Sequence, residues 1–265
     1  MAGEPGRIVA AAYSRQAQDY EELWAPVLLP YSRQLLDRLS LADAKRVLEI
    51  GAGVGRLLLE IRDRAARADV YGIDISAGML SRAPGEFPRA VMDAARLGFA
   101  GDSFDAVVMV FMLFHLPDPA AGLRDTGRVL RPGGVTGVAT WGDGASFPAL
   151  DVWDEVLEEY GAGADPASGD DSSDLTNSPE KMLELFREAG LAGVETDQVP
   201  FEKRWDLESF LNFRTNVGSG PRRLGTIDPD RRGACVATAR ERLGRLTPEE
   251  FVDHDFVVLA TGTKP

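Results

Sequence analysis

The run Val47-Leu48-Glu49-Ile50-Gly51-Ala52-Gly53-Val54-Gly55 constrains this chain more than any other part of it. Arg46–Ile50 is a strand candidate. It enters three glycines at alternate positions, and then comes a helical stretch in which Leu57, Leu58, Ile61 and Ala65 share one side. Glycine reaches positive φ without a steric penalty and lets a ligand approach the backbone where a Cβ would collide. A helix opening there presents free N–H groups and a partial positive charge. Asp69–Asp74 reads as the next strand and ends in a carboxylate, placed to accept hydrogen bonds from both hydroxyls of a ribose.

The rest of the chain supplies the frame. The first forty residues read as helical, with Leu28, Tyr31, Leu35 and Leu39 on one face, Leu36 beside them and Pro30 suited to a first turn. Arg89–Met92 is a short third strand. Phe104–Leu113 is a fourth, apolar without alternation, as expected for a strand covered on both faces. Pro119–Leu130 reads as a helix, Arg131-Pro132-Gly133-Gly134 as a turn and Gly134–Trp141 as the fifth strand. Residues 142–178 are rich in Gly, Asp, Ser and Ala, with a short helical stretch near Val152–Tyr160. Ser178-Pro179 has the form of an N-cap and first-turn proline, opening a helix that Gly190 stops. Gly193–Phe201 and Asp255–Gly262 read as two more strands, with helices around Asp206–Val217 and Pro229–Leu246 between them. The β-α alternation predicts a parallel sheet with right-handed crossovers.

Charge and composition narrow the partners. The formal net charge is −13, and residues 151–175 hold nine Asp or Glu and no Lys or Arg. A negative surface repels phosphate backbones, which argues against a nucleic-acid partner, while the acidic block itself reads as a solvated loop. The longest apolar run, Ala106–Phe114, falls far short of the roughly 20 residues that cross a bilayer, so no membrane partner is expected. The start, MAGEPGRIVA, lacks a basic stretch leading into an apolar one, and Cys235 is the one cysteine. A cytoplasmic protein is the expectation, with its oligomeric state, homodimer included, left open.

The glycine spacing separates two cofactor classes. A dinucleotide fingerprint wants G-x-G-x-x-G/A, whereas Gly51, Gly53 and Gly55 give G-x-G-x-G and Arg56 stands where the last small residue should be. That weakens a nicotinamide-dependent oxidoreductase. VLEIGAGVGRL (47–57), YGIDISAGML (71–80), MDAARLGF (92–99), DSFDAVVMVFMLFHLPDP (102–119) and RVLRPGG (128–134) resemble, in order and spacing, the class I S-adenosylmethionine-dependent methyltransferases, near the group of the ubiquinone and menaquinone C-methyltransferases. The resemblance spans nearly the whole chain and is best over residues 46–142. It implies an α/β fold: a Rossmann-like, seven-stranded, mostly parallel sheet whose last strand is antiparallel. One domain would comprise a helical cover (1–42), a cofactor-binding core (43–142), a lid and acceptor region (143–250) that also holds one helix and strand of the core, and a last strand (251–265).

The resemblance also implies roles. The Gly51, Ala52, Gly53 and Gly55 loop would hold the methionyl part of S-adenosylmethionine, and Glu49 would be among the cofactor-binding residues. Asp74 would grip the ribose, Ile75 and Met79 would flank the adenine, and Asp93 with the Ala94 backbone would read its amino edge. Val110 and Phe111 would line the floor beneath the sulfonium. Tyr20, in a segment (Tyr13–Tyr20) similar to the family's cover, is either a lid residue or a packing tyrosine. The chemistry agrees, since aromatic faces favour a sulfonium cation and in-line methyl transfer requires alignment and dryness but no metal. His115 comes directly after the fourth strand, where some relatives carry a catalytic histidine; it is a general base or the cap of a packed turn. His254 is the only other histidine.

Trp24, Phe147, Trp153, Tyr160, Phe201, Trp205, Phe210 and Phe213 are candidates for an apolar acceptor pocket. Arg214, Arg222 and Arg223 are candidates to meet an acidic group on the acceptor, or are solvated. The expected activity is methyl transfer to O, C or N of a small metabolite, natural-product biosynthesis included. The alternative is a protein that keeps the cofactor pocket but serves as a cyclase or binding module.

Overall fold

A computed structural model of the chain describes residues 4–168 and 172–265, and the side chains of 6–168 and 172–265. Seven strands form one sheet in the order β3-β2-β1-β4-β5-β7-β6. They are β1 (Arg46–Ile50), β2 (Asp69–Asp74), β3 (Arg89–Val91), β4 (Phe104–Val110), β5 (Leu130–Trp141), β6 (Ala192–Arg204) and β7 (Val252–Thr263). The first five are parallel, and β7 lies antiparallel between β5 and β6. From β1 the chain winds outward to β3 on one side, then returns to β4 and winds to the other. That reversal opens a crevice at the carboxyl ends of β1 and β4, where ligands of such sheets sit.

Helices cover both faces. α2 (Ala25–Leu36) and α3 (Arg56–Arg64) pack on one, burying Leu28, Leu35, Leu58 and Ile61 against Val47, Ala106 and Val108. α5 (Pro119–Val129) and α8 (Pro179–Glu188) pack on the other, against Leu48, Val107 and Met109. α8 begins as the sequence predicts, with the Ser178 side chain accepting from Lys181 N–H and Pro179 in the first turn. A third cluster, around Trp153, Phe210 and Cys235, unites α6 (Pro148–Glu159), α9 (Leu207–Asn216) and α11 (Pro229–Leu243) into a cap over the strand ends. The cap is completed by α10 (Ser219–Leu224), and α7 (Ser173–Thr176) precedes α8.

Three sequence expectations are corrected. Arg131–Gly134 is not a free turn but the start of β5, where the β4 register slips between Phe104 and Ala106 and Gly133 takes φ +75°. Pro30 lies inside α2 rather than in its first turn; both it and Pro26, whose carbonyl it deprives of a donor, are exposed. β6 and β7 are longer than read, because they pair with each other from Ala192–Thr263 to Arg204–Val252. Their alternate positions on β6 are polar, as an edge strand with one wet face requires.

The N-terminal cover also departs from a plain helix. α1 (Glu4–Asp19) passes into a π-helical segment, Tyr20–Trp24, before α2. Widening by one residue there rotates α2 about its axis and changes which of its side chains face the sheet. Among the described residues, no helix is long and apolar enough to cross a membrane.

Candidate active site

The glycine turn sits in the crevice. Gly51, Gly53 and Gly55 hold φ of +74°, +53° and +75°. The N–H groups of Gly51 and Ala52 both donate to the Ile73 carbonyl (2.8 and 2.9 Å), which ties the turn to the end of β2. Asp74 completes the fastening. Its Oδ2 accepts from Gly53 N–H (2.9 Å) and its Oδ1 from Ser76 N–H (2.8 Å). Each carboxylate oxygen can accept more than one hydrogen bond, so capacity remains for a ligand. Burial raises the Asp74 pKa, against the pull of these N–H donors.

Around this turn lies a cavity of about 760 Å³, its mouth included. Gly51, Gly53, Asp74, Ile75, Met79, Asp93, Ala94, Val110, Phe111, Tyr20 and His115 all border it. Glu49 and Ala52 border a smaller cavity on the other side of the same glycines, which also touches Tyr20, Val110 and Phe111. Gly55 borders neither. A Cβ there would stand 2.7 Å from that of Ala83, so this glycine serves the packing of α3 against the Ala83-Pro84 turn.

Glu49 is an unusual lining group. It is 3 % exposed, and among the described residues its Oε2 has no hydrogen-bond partner. Burial, and then the nearby charge of Asp74, push its pKa well above the ordinary range. A buried unpaired carboxyl costs stability unless something else occupies its lone pairs. Phe111 is a second strained feature. It is a non-glycine residue at φ +50° where β4 ends, with its ring 4.7 Å from that of Trp141.

The cover closes the cavity from above. Gly6, Val9 and Tyr13 of α1 border it, and Ser14 packs against α4 (Ala77–Leu80) through a Ser14–Ser76 hydroxyl hydrogen bond of 2.8 Å. Gly78 permits that approach, since a Cβ would lie 2.7 Å from Ser14 Cα. The π segment turns Tyr20 inward. Burial first, then Tyr13, Asp74 and Glu49, raise its pKa far beyond the usual phenol value, so it stays neutral.

A second cavity opens beside the first, beneath the cap, bordered by Trp24, Trp141, Phe147, Phe201 and Phe213. Trp24 packs on Phe213 at 4.6 Å and on Trp141 at 5.9 Å between ring centres. Of the aromatic candidates, Trp153, Phe210, Tyr160 and Trp205 instead pack into the cap core. Tyr13, Tyr20 and His115 border both cavities, and the Tyr13 hydroxyl lies 3.0 Å from His115 Nε2. His254 stands apart on an exposed position, 3.7 Å from Glu202.

Sequence reading did not find Tyr13, Trp141, Met92 or Met112 as lining residues, nor Asp253 and Asp255 at the acceptor cavity. Asp253 and Asp255 alternate along β7 on one face, a signal that a strand assigned from Val252 rather than Asp255 exposes.

Residues 48–138, which carry β1 through most of β5, match the family model of the methyltransferase domain. Over that stretch the chain carries a methyltransferase domain. The chain is 33 % identical over 156 residues to demethylmenaquinone methyltransferase of Mycolicibacterium vanbaalenii, covering 58 % of this chain and 64 % of that one. It thus spans less than two thirds of that relative. It is 28 % identical over 225 residues to malonyl-[acyl-carrier protein] O-methyltransferase of Geobacter sulfurreducens, covering 81 % of each. Among solved structures it resembles phosphoethanolamine N-methyltransferase 2 of Haemonchus contortus in complex with S-adenosyl-L-methionine, with a TM-score of 0.59, 18 % identity, and coverage of 94 % of this chain and 56 % of that one. At that identity the likeness concerns the fold.

Proposed function

We propose that the chain transfers a methyl group from S-adenosylmethionine to an oxygen, carbon or nitrogen of a small, largely apolar molecule. The observation that carries this reading is the wall shared by the two cavities. Tyr13, Tyr20 and His115 border both, so a donor in one and an acceptor in the other would meet there. The residues present fit the donor. A glycine cradle, an orphaned buried carboxyl at Glu49 and an acid at the end of β2 suit, in turn, a methionyl chain, its α-ammonium and a ribose.

When bound, S-adenosylmethionine supplies a methyl group made electrophilic by its sulfonium. The protein's share is placement. Asp74 would accept from the ribose hydroxyls, Ile75 and Met79 would flank the adenine, and Asp93 with the Ala94 backbone would read its edge. Val110 and Phe111 would form the floor, and neutral Tyr20 would close the site without adding a charge. Alignment and exclusion of water lower the barrier to an in-line displacement. Where the acceptor carries an acidic proton, His115, held by Tyr13, takes it at Nε2 or through the tyrosine hydroxyl.

Calorimetry with S-adenosylmethionine, S-adenosylhomocysteine and NAD tests the donor. We expect the two adenosyl compounds to bind, and Asp74→Ala to weaken them at least tenfold through the loss of charge-assisted hydrogen bonds. Binding of NAD in their place would overturn the reading. Formation of S-adenosylhomocysteine over a panel of phenols, enols and amines tests transfer itself. Tight donor binding with no product across that panel would point to a cyclase or binding module on the same fold.

A further inference from the structure

Among the described residues bordering the acceptor cavity, one cation has a charge that nothing beside it answers. Arg222 is engaged bidentately by Asp165, at 2.7 Å from Nε and 2.5 Å from Nη2, and Arg223, which lies outside the cavity wall, donates to Asp154 at 2.6 Å. Arg214, on the last turn of α9, differs from both. Among the described residues it forms no ion pair within 4.0 Å, and its Nε is buried without an acceptor. Its guanidinium lies over the rings of Phe210 (5.4 Å) and Phe213 (5.7 Å), which fix it in place. The same side chain borders the aromatic cavity together with Trp24, Trp141 and Phe213. Asp154 and Asp253 act on it only at longer range, and burial lowers its pKa.

A guanidinium is retained in an apolar setting when its donors have work to do, since burying it unpaired is costly. We propose that Arg214 is the specificity determinant of the acceptor site, donating to a carbonyl oxygen on a flat, largely apolar acceptor held against the surrounding aromatic rings. The acceptor role rests on the methyltransferase reading above. A neutral carbonyl fits better than a carboxylate because Asp253 and Asp255 border the same cavity and repel a full negative charge. A hydrogen bond from a charged donor to such an oxygen is worth about tenfold or more in affinity.

The test uses the full chain saturated with S-adenosylhomocysteine and three probes, 2-acetylnaphthalene, 2-naphthoate and 2-ethylnaphthalene, with binding read from quenching of tryptophan fluorescence. The ketone should bind about tenfold more tightly than the ethyl compound, with the carboxylate weaker than the ketone. In Arg214→Gln the ketone and ethyl compounds should bind alike, and Arg214→Lys should restore part of the difference. Circular dichroism and the melting temperature establish that both variants fold. If Arg214→Gln does not fold, Arg214→Lys and the wild-type probe order decide. Equal binding of ketone and ethyl compound to the wild type, a ketone preference that survives in Arg214→Gln, or no binding of any probe would overturn the proposal. Tightest binding of the carboxylate would overturn the choice of a neutral group. Failure of S-adenosylhomocysteine to bind in the first step would instead strike the methyltransferase reading, so the two failures are distinguishable.

Discussion

Glu49 is buried with Oε2 unpartnered, and its carboxyl keeps a proton at pH values where a solvated glutamate has lost it. The unfolded chain releases that proton near the ordinary value. Stability from this group is therefore complete below that value and declines as pH rises toward the higher folded-state pKa. Glu49→Gln is neutral at every pH and escapes the decline. Its melting temperature should exceed that of the wild type at pH 7 and approach it near pH 4, at about 2–4 °C per kcal/mol in a chain of this size. The same variant should bind S-adenosylmethionine at least tenfold more weakly, since only the glutamate can give up its proton and meet an ammonium group as a carboxylate. A melting temperature lowered at pH 7 would make Glu49 a packing residue. The contiguous motif residues were legible from sequence because the turn and the strand ends carry their own local rules. Tyr13 and Trp141 were not, and nothing in the sequence set Arg214 apart from Arg222 and Arg223. Their roles arise from where α1, β5 and α9 converge, and no spacing encodes that convergence.

At the scale of elements, the cover depends on a near contact of backbones. Gly78 of α4 lies so close to Ser14 that an added Cβ would press on the α1 backbone. Gly78→Ala should lift α1 from the cavity. Affinity for S-adenosylhomocysteine should fall by about an order of magnitude, and limited proteolysis within residues 4–19 should accelerate, while the sheet keeps its circular dichroism. Unchanged affinity would free the cover from any role in closure. The strands were legible because their apolar runs are bounded by glycine, proline and acidic residues. The π segment was not. It changes the helical phase by one residue, and the apolar positions Val9, Tyr13, Ala17, Tyr20, Trp24 and Leu28 continue on either side of it at steps of three and four. The longer β7 was missed because Asp253 and His254 look like loop residues until the pairing with β6 and the cavity beside Asp253 give them a reason to lie on a strand.

In the whole molecule, two clusters grip the sheet and a third holds the cap together, with Cys235 fully buried in that third cluster. The cap has fewer strand partners than the sheet, so it should open at lower free energy. Cys235 reports that opening, because burial raises its thiol pKa and shields it from reagents. Labelling by a disulfide reagent should begin at urea concentrations below the transition seen by circular dichroism, whereas coincident transitions would make cap and sheet one cooperative unit. The α/β architecture was readable in advance from the β-α alternation, and the antiparallel final strand was implied by the family resemblance, but the cap's internal packing was not legible, since residues 142–250 contain no comparable run of ordered signals.

The pairing of Arg204 with Val252 has an evolutionary corollary. The Trp205 N–H donates to the Phe251 carbonyl (3.2 Å), so the stretch bearing α9, α10 and α11 leaves and re-enters the sheet through a single doorway. A segment hung on adjacent hinges can be exchanged as a cassette without shifting the register on either side. Lineages sharing this scaffold could thus acquire new acceptors by replacing that cassette, while the half that handles the methyl donor is inherited unchanged.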